Sequence, residues 1–259
     1  MPLTRWKILI EYKGTRYAGW QRQEDGIATV QGAIERAIHQ FCGQFCTLHV
    51  AGRTDAGVHA EGQVAHFDLD YGDRPLSAHQ IRAAINFFLK NDDITILHAE
   101  AAAADFHARF HATRKIYQYR ILTRASPPAC LRDLRLHVHY DLDIQSMQRG
   151  ARHLLGHHDF TSFRARECQA KSPFRTLDRA DIISQDHGAA GREIIFEFEG
   201  KSFLHHQVRN MVGSLLLVGR GKWAADDIKI ALAAKDRTQS GPTAPPHGLF
   251  LVQIFYGHF

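Results

Sequence analysis

The segment AGRTDAGVHA at Ala51–Ala60 contains the side chain best suited to chemistry, the carboxylate of Asp55. Gly52 and Gly57 flank it, and glycines allow a loop to bring its backbone close to a ligand. Arg53, two residues earlier, can keep the carboxylate ionised, as a nucleophile or a general base requires. The same letters also fit a turn in which Asp55 bonds to its own backbone. The segment alone therefore leaves a catalytic loop and a structural turn open.

Basic residues are concentrated in two stretches that lack acidic residues, Phe106–Arg132 and Gly200–Trp223. The whole chain has 32 Lys and Arg against 27 Asp and Glu, and this net charge of +5 permits nucleic-acid binding without requiring it. Cationic side chains neutralise phosphates, and aromatic rings stack on unpaired bases. The first stretch interleaves both kinds, namely Arg109, Arg114, Lys115, Tyr117 and Tyr119. An RNA contact and an ordinary solvated surface are both compatible with this composition.

Length and composition predict one large globular domain or two of moderate size. The 259 residues are 44% hydrophobic and 23% charged, which excludes a mainly disordered or fibrous chain. We expect a cytoplasmic protein with reduced thiols, because the four cysteines form no C-x-x-C pair and neither a signal peptide nor a membrane span is recognisable. The 18 histidines suggest a metal, but no H-E-x-x-H or zinc-finger spacing occurs, so we expect none.

Hydrophobic periodicity predicts the elements that must position these side chains. The first half follows the order β-α-β-β-α-β, with strands at Trp6–Tyr12, Thr47–Ala51, Gln63–Leu69 and Ile94–Ala99 and helices at Val30–Cys42 and after Ser77. The second half has strands at Ile116–Leu122, Leu134–Tyr140, Leu177–Ser184, Glu193–Glu199 and Leu249–Tyr256, and helices after Asp143, at Phe203–Val218 and at Asp226–Lys235. The predicted N-caps are Thr29, Ser77 and Asp143.

This order predicts an α+β fold made of two RRM-like, ferredoxin-like split β-α-β halves. Their antiparallel sheets carry helices on one face, which leaves the other face for a central active-site cleft. A composition shift at Ala102–Phe106 suggests a boundary between subdomains of residues 1–104 and 105–259. The first contains the Asp55 loop, and the second contains both basic stretches.

Eight ordered segments together resemble the TruA family of tRNA pseudouridine synthases. The most specific of them is GRTDAGVHA at Gly52–Ala60. The others are GWQRQ at Gly19–Gln23, TVQGAIE at Thr29–Glu35, QVAHF at Gln63–Phe67, FHARF at Phe106–Phe110, RKIYQYRI at Arg114–Ile121, HDFTSF at His158–Phe163 and FLHHQVRNMVGSLL at Phe203–Leu216. The resemblance extends from Trp20 to Leu251.

The resemblance implies an activity and the residues that perform it. Members of that family isomerise uridine to pseudouridine at positions 38, 39 and 40 of the tRNA anticodon stem-loop, as homodimers and without a cofactor or a metal. The family's catalytic aspartate falls on Asp55, its active-site tyrosine on Tyr117 and its active-site arginine on Arg209. Arg53 matches the arginine that guides the flipped base. The subdomain of residues 1–104 would thus carry the aspartate, and that of residues 105–259 the tyrosine and the arginine.

The reaction breaks the bond from ribose C1′ to uracil N1, turns the base and joins C1′ to C5, after the base has been flipped out of the stem. Asp55 can attack the sugar, attack uracil C6 or remove the C2′ proton, and the sequence leaves these routes open. Arg109, Arg114 and Lys115 are predicted to contact the stem backbone. The main alternative is a non-catalytic RNA-binding module. A metal nuclease and an RNA chaperone are weaker alternatives.

Overall fold

The computed structural model describes residues 3–24, 26–72 and 76–257. The strands are β1 (Thr4–Tyr12), β2 (His49–Val50), β3 (His59–Leu69), β4 (Ile94–Ala102), β5 (Ala112–Thr123), β6 (Leu136–Val138), β7 (Gly156–Asp159), β8 (Phe174–Leu177), β9 (Arg179–Asp186), β10 (Arg192–Gly200) and β11 (Leu249–Tyr256). The helices are α1 (Val30–Cys42), α2 (Ala78–Phe88), α3 (Ile144–Arg152), α4 (Gln207–Gly219) and α5 (Asp227–Ala234). Helices and mainly antiparallel strands confirm the predicted α+β class. Among the described residues, no helix is long and apolar enough to span a membrane.

The chain divides into two compact units. Unit 1 runs to Thr113 and also contains the chain from Leu251 onward, whereas unit 2 is Arg114–Phe250. The predicted limits of 1–104 and 105–259 did not include the return of β11 to unit 1. Each unit has its own sheet strands and helices, and each is described by itself below.

The sheet of unit 1 has the strand order β4-β1-β3-β11, and β2 pairs with β3. β1 is antiparallel to both of its neighbours, with Trp6 opposite Phe67 on one side and Ala101 on the other. Alternate side chains of β1 from Trp6 to Tyr12 are buried, as the period of two in a half-buried strand requires. Helix α2 contacts both α1 and β4. The central strands β1 and β3 therefore form the core of this unit.

Side-chain caps fix where three of the helices begin. Thr29 accepts a hydrogen bond from the backbone N–H of Gly32, and Asp143 accepts one from Ser146. Ser77 and Gln80 form a reciprocal capping box at the start of α2. All three N-caps predicted from the sequence are confirmed, because each supplies an oxygen to a backbone donor that the first helical turn leaves unpaired.

The sheet of unit 2 has the strand order β5-β10-β9, and all its neighbours are antiparallel. The short strand β6 pairs in parallel with β5, and β7 and β8 form a separate two-stranded sheet. Tyr117, Tyr119 and Ile121 are buried on one face of β5, opposite Phe198, Phe196 and Ile194 of β10. These two rows of buried side chains are the contribution of β5 and β10 to the core of unit 2.

Three predicted elements of unit 2 differ from the structure. The strand predicted at Leu177–Ser184 is interrupted at Asp178, whose N–H donates to the carbonyl of Glu199 (2.8 Å), so that β8 ends and β9 begins there. The strand predicted at Leu134–Tyr140 is reduced to β6. Helix α4 begins at Gln207 rather than at Phe203, because His206 has a φ of 62°, which a right-handed helix does not accommodate.

Candidate active site

Asp55 lies on a tight turn between β2 and β3 of unit 1. The carbonyl of Asp55 accepts a hydrogen bond from the N–H of Val58 (3.2 Å), which closes a four-residue turn. Gly57 occupies the third position with a φ of 76°, a conformation that favours glycine. This turn is closed by the main-chain carbonyl of Asp55, whereas the turn predicted as the alternative would be closed by its side chain, and the half-buried carboxylate is carried on the turn. A turn and a catalytic loop are not exclusive here.

The segment of residues 17–20, which includes the start of GWQRQ, braces this turn from one side. The N–H of Trp20 donates to the carbonyl of Thr54 (3.0 Å), and the N–H of Gly57 donates to the carbonyl of Tyr17 (3.3 Å). Gly19 has a φ of 97°, and a Cβ at this position would lie 2.8 Å from the Thr54 carbonyl oxygen. The two backbones therefore approach at a distance that only glycine allows.

A short 3-10 turn at Gly14–Arg16 braces the Asp55 loop from another side. The N–H of Gly14 donates to Nδ1 of His59 (3.0 Å), the histidine of the GRTDAGVHA motif. A Cβ on Gly14 would collide with the carbonyl of Val58. His59 is buried and accepts through Nδ1, so its role here is to hold the backbone of residue 14 against the loop. No sequence motif signals this contact, because Gly14 and His59 are 45 residues apart along the chain.

Side chains along the loop alternate between solvent and core. Arg53 is exposed, Thr54 is buried and Asp55 is half-buried. An exposed guanidinium on the same loop as the carboxylate can bind a phosphate, and the role of Arg53 toward the flipped base stays a prediction. Thr54 thus anchors the loop in the core between the two predicted site residues, Arg53 and Asp55.

The segment FHARF presents a second cation in unit 1. Arg109 is exposed, and its guanidinium lies over the ring of Phe110 (5.8 Å to the centroid). Phe110 itself is 69% exposed, which is unusual for a large apolar ring. A cation and an open aromatic face side by side offer phosphate neutralisation and base stacking in one place.

The backbone beneath this exposed pair is held firmly. The N–H of Ala108 donates to Nδ1 of His66 (3.2 Å), and the hydroxyl of Tyr256 donates to the carbonyl of Ala108 (2.8 Å). Arg5 donates to the carbonyl of Phe106 (2.9 Å) while its ion pair with Asp68 (2.7 Å) fixes the guanidinium. Arg109 and Phe110 therefore project from a rigid base.

Three histidines of unit 1 cluster next to that base. The rings of His49 and His66 are stacked at 4.9 Å, and that of His107 meets His66 edge-on at 4.8 Å. The pKa of His66 is lowered to about 4, mainly by burial and to a smaller extent by the neighbouring His49 and Arg5. Within either unit, the described histidine, cysteine and acidic side chains do not bring three ligand atoms within 4.8 Å of one another. We therefore interpret this cluster as a packing element.

In unit 2, Tyr117 lies on β5 with its ring largely buried. The ring of Phe203 meets it edge-on, with centroids 5.0 Å apart. Phe203 belongs to the segment predicted as the start of a helix, and it precedes α4 as irregular chain. Because α4 begins only at Gln207, Phe203 can turn its ring onto Tyr117. This aromatic contact fixes the plane of the tyrosine ring.

The other basic residues predicted on β5 differ in their surroundings. Arg114 is exposed and forms an ion pair with Glu199 (3.1 Å). Lys115 lies on the buried side of the strand. Arg124, farther along, donates to the carbonyls of Ser126 (2.8 Å) and Ala190 (3.1 Å). Some side chains of the basic stretch, such as Arg114 and Arg124, thus form contacts within unit 2.

Arg209 lies in the first turn of α4 and is half-buried. Its Nε donates to the carbonyl of Ala244 (2.8 Å), and the N–H of Ala244 donates back to the carbonyl of Arg209 (3.1 Å). This reciprocal pair joins the helix to the loop of residues 240–246, whose sequence is SGPTAPP. The guanidinium is therefore held in one place rather than extended freely into solvent, and its charge lowers the pKa of the neighbouring His247, whose burial lowers it more.

Comparison with known proteins decides the family. A sequence model of the family described as tRNA pseudouridine synthase matches residues 8–111 and 151–257. The chain belongs to the tRNA pseudouridine synthase family. This confirms the resemblance inferred from the motifs and makes the chain an isomerase that acts on tRNA. Asp55, Arg53 and Arg109 fall in the first matched range and Arg209 in the second, whereas Tyr117, Arg114 and Lys115 lie between the two.

Curated members of the family are similar to the chain over nearly its whole length. "tRNA pseudouridine synthase A" of Paramagnetospirillum magneticum is 51% identical over 254 residues, which are 98% of this chain and 96% of the relative. The proteins of the same name from Caulobacter vibrioides and Rhodospirillum centenum are 48% and 46% identical, and each match covers 98% of this chain and 100% of the relative. The interval that contains Tyr117 is therefore included in these longer similarities.

Proposed function

We propose that this tRNA pseudouridine synthase family member acts on uridines 38, 39 and 40 of the anticodon stem-loop, with Asp55 as the catalytic group. The observation that carries the proposal is the Asp55 turn itself. The turn is braced on one side by backbone hydrogen bonds and on another by the bond from the Gly14 N–H to Nδ1 of His59, and it carries a half-buried carboxylate two residues after an exposed arginine. A rigidly held carboxylate at a solvent-accessible surface is what a nucleophile or base for ribose chemistry requires.

The chemistry is balanced without an external reactant. The C1′–N1 bond breaks, the uracil turns, C1′ bonds to C5, and the proton from C5 is lost as N1 gains one. Asp55 attacks C1′ or uracil C6, or removes the C2′ proton, and each route requires the ionised carboxylate. The target base must leave the stem first, which costs a few kcal/mol.

The remaining site residues have roles that follow from their surroundings. We propose that Arg53 occupies the place of the flipped base or binds its phosphate, and that Tyr117 stacks on the displaced uracil. Arg209, fixed by Ala244, supplies a positive charge to the reacting groups. The stem backbone is contacted by Arg109, Arg114 and Lys115; of these, Arg109 is exposed, Arg114 already shares its charge with Glu199, and Lys115 is buried. Arg109 is therefore expected to contribute most.

The decisive test replaces Asp55 by asparagine, which keeps the shape and removes the charge. We expect tritium release from tRNA labelled at uridine C5 to fall by at least about 1,000-fold, as for loss of a catalytic nucleophile or base. The tRNA dissociation constant should change by less than about threefold. Asp105→Asn is the matched control, because Asp105 is an exposed carboxylate of the same unit. Wild-type rates in Asp55→Asn would remove Asp55 from the mechanism.

The same assay separates the proposal from the alternative of a non-catalytic RNA-binding module. Such a module binds the stem-loop but releases no tritium even as the wild-type chain. Mapping of pseudouridine in the treated tRNA tests positions 38, 39 and 40 individually. We also propose a cytoplasmic homodimer, for which sedimentation equilibrium should give twice the chain mass of 29.3 kDa.

A further inference from the structure

We infer that Tyr12, Thr54 and Gln63 form a positioning network that sets the orientation of the Asp55 turn for catalysis. The inference rests on the proposed role of Asp55 and goes beyond it, because none of the three belongs to the residues assigned to substrate or chemistry. All three side chains lie in unit 1, on β1, on the Asp55 loop and on β3 respectively.

The network consists of buried side-chain hydrogen bonds behind the loop. The hydroxyls of Tyr12 and Thr54 are 2.8 Å apart. Nε2 of Gln63 donates to the carbonyl of Gly52 (2.8 Å) and to the hydroxyl of Tyr12 (3.4 Å). Gln63 has no exposed surface, and Tyr12 and Thr54 are 3% and 7% exposed. The loop is thus held at Gly52 and at Thr54, the residue that immediately precedes Asp55.

The direction of these bonds follows from the chemistry of the groups. The amide Nε2 of Gln63 only donates, so the Tyr12 oxygen accepts from it. The hydrogen of the Tyr12 hydroxyl can in turn reach the Thr54 hydroxyl oxygen, which acts as its acceptor. Burial raises the pKa of Tyr12 to about 12, so the phenol keeps that hydrogen at neutral and mildly alkaline pH. The chain of bonds therefore runs from Gln63 through Tyr12 to Thr54.

An irregularity of the sheet brings Gln63 into this position. In the pairing of β1 with β3, Ile10 is opposite Gln63 but Tyr12 is opposite Ala60. Two residues of β3, Glu61 and Gly62, therefore stand opposite one residue of β1, which is the definition of a β-bulge. A bulge changes which face the following side chain occupies, and such features are frequent beside active sites.

We infer that the network orients the Asp55 turn, because apolar packing would be sufficient to stabilise unit 1 without these hydrogen bonds. Buried polar groups are unfavourable unless every partner is satisfied, and apolar side chains of similar shape would fill the same volume. Strands β1 and β3 are joined by their backbone ladder in any case. What the hydroxyls and the amide add is a fixed geometry at the residues on either side of Arg53, and thereby at Asp55.

Thr54→Val and Tyr12→Phe test the inference, since each removes one hydroxyl and keeps the shape. We expect the single-turnover rate of tritium release at saturating enzyme to fall by roughly 10- to 100-fold in each, because displacement of a catalytic group by about 1 Å costs up to about 100-fold. The tRNA dissociation constant should stay within about threefold. Thr54→Ser, which keeps the hydroxyl, should restore most of the rate. Tyr71→Phe removes a hydroxyl elsewhere in unit 1 and is the matched control.

The double variant Tyr12→Phe/Thr54→Val distinguishes a network from two separate effects. If both hydroxyls act through one bond, the double variant is no slower than the slower single variant. Additive losses, equal rates in Thr54→Val and Thr54→Ser, or losses that follow the melting temperature would overturn the inference. If instead wild type is inactive, or Asp55→Asn is fully active, the proposed function fails. Active wild type, inactive Asp55→Asn and fully active hydroxyl variants would overturn the network alone.

Discussion

His66 shows at the scale of one residue how burial changes the chemistry of a side chain. It is 2% exposed and packs between His49, His107 and Phe106. Its Nδ1 accepts a hydrogen bond from the N–H of Ala108, which requires that nitrogen to be unprotonated. With a pKa of about 4, His66 is neutral in the folded protein at every pH at which the enzyme is expected to act.

This predicts a loss of stability in mild acid. In the unfolded chain His66 titrates near its ordinary pKa of 6.5, so between pH 6.5 and 4 the unfolded state binds more protons than the folded one. The contribution of His66 is therefore full above pH 6.5 and is lost as the pH falls toward 4. Urea titrations should show the free energy of unfolding reduced by about 1–2 kcal/mol from pH 7 to pH 5 on account of this group.

His66→Gln and His79→Gln are the variants to compare. Glutamine at position 66 cannot gain the proton, so the difference between pH 7 and pH 5 should shrink. His79 is exposed at the start of α2, and its replacement should leave the pH dependence as in wild type. Equal pH dependence in the two variants would show that other groups titrate instead.

Only part of the candidate site could be predicted at the residue scale. Asp55 and Arg53 stand in one short motif, so the motif was sufficient to select them. Tyr12 is 42 residues from Thr54 along the chain, and its contact depends on the pairing of two strands and on a bulge within that pairing. No spacing within the sequence encodes such a contact.

Helix ends show the same limit at the scale of the element. The N-caps followed from single residues that bond to their own first turn, and the sequence was sufficient to predict them. The start of α4 and the end of α5 are set instead by His206 and Lys235, which have φ values of 62° and 51°. Histidine and lysine seldom adopt this conformation, so their residue types gave no signal.

Lys235 offers a direct test, because glycine at the end of a helix adopts the left-handed conformation without steric cost. We expect Lys235→Gly to raise the free energy of unfolding by up to about 1 kcal/mol. Lys229→Gly, within α5, should lower it by about 1 kcal/mol, since glycine weakens a helix interior. Both values come from urea or thermal unfolding. Destabilisation of similar size in both variants would contradict the assigned end of α5.

At the scale of the whole molecule, the arginines that contribute to the net charge of +5 fall into two groups with different surroundings. Several arginines are occupied by neighbouring groups, among them Arg5 by Asp68, Arg135 by Glu193 and Arg179 by Glu197. Two of the arginines proposed for RNA, Arg53 and Arg109, are instead exposed on braced loops of unit 1. Composition could not distinguish these two populations, because both look alike in a count of charges.

The distinction predicts how tRNA affinity depends on salt. Removal of one cation that binds a phosphate should reduce the slope of log K against log salt concentration by about 1. Arg53→Ala and Arg109→Ala should each lower the slope by that amount. Arg82→Ala, an exposed arginine of α2 in the same unit, removes the same charge and should leave the slope unchanged. Filter binding or fluorescence anisotropy at KCl concentrations from about 50 to 300 mM measures the slope. Identical slopes in all three variants would exclude local phosphate contacts by Arg53 and Arg109.

The position of β11 has a consequence for how the protein is made. Unit 1 pairs β3 with β11, yet the ribosome synthesises β11 only after the whole of unit 2. Throughout that interval the part of β3 that pairs with β11 in the finished fold keeps its backbone donors and acceptors unpaired, and such an edge readily joins other strands. The Asp55 loop that precedes β3 therefore acquires its final support last, when the completed chain leaves the ribosome, and chaperones that shield extended segments would act at that stage.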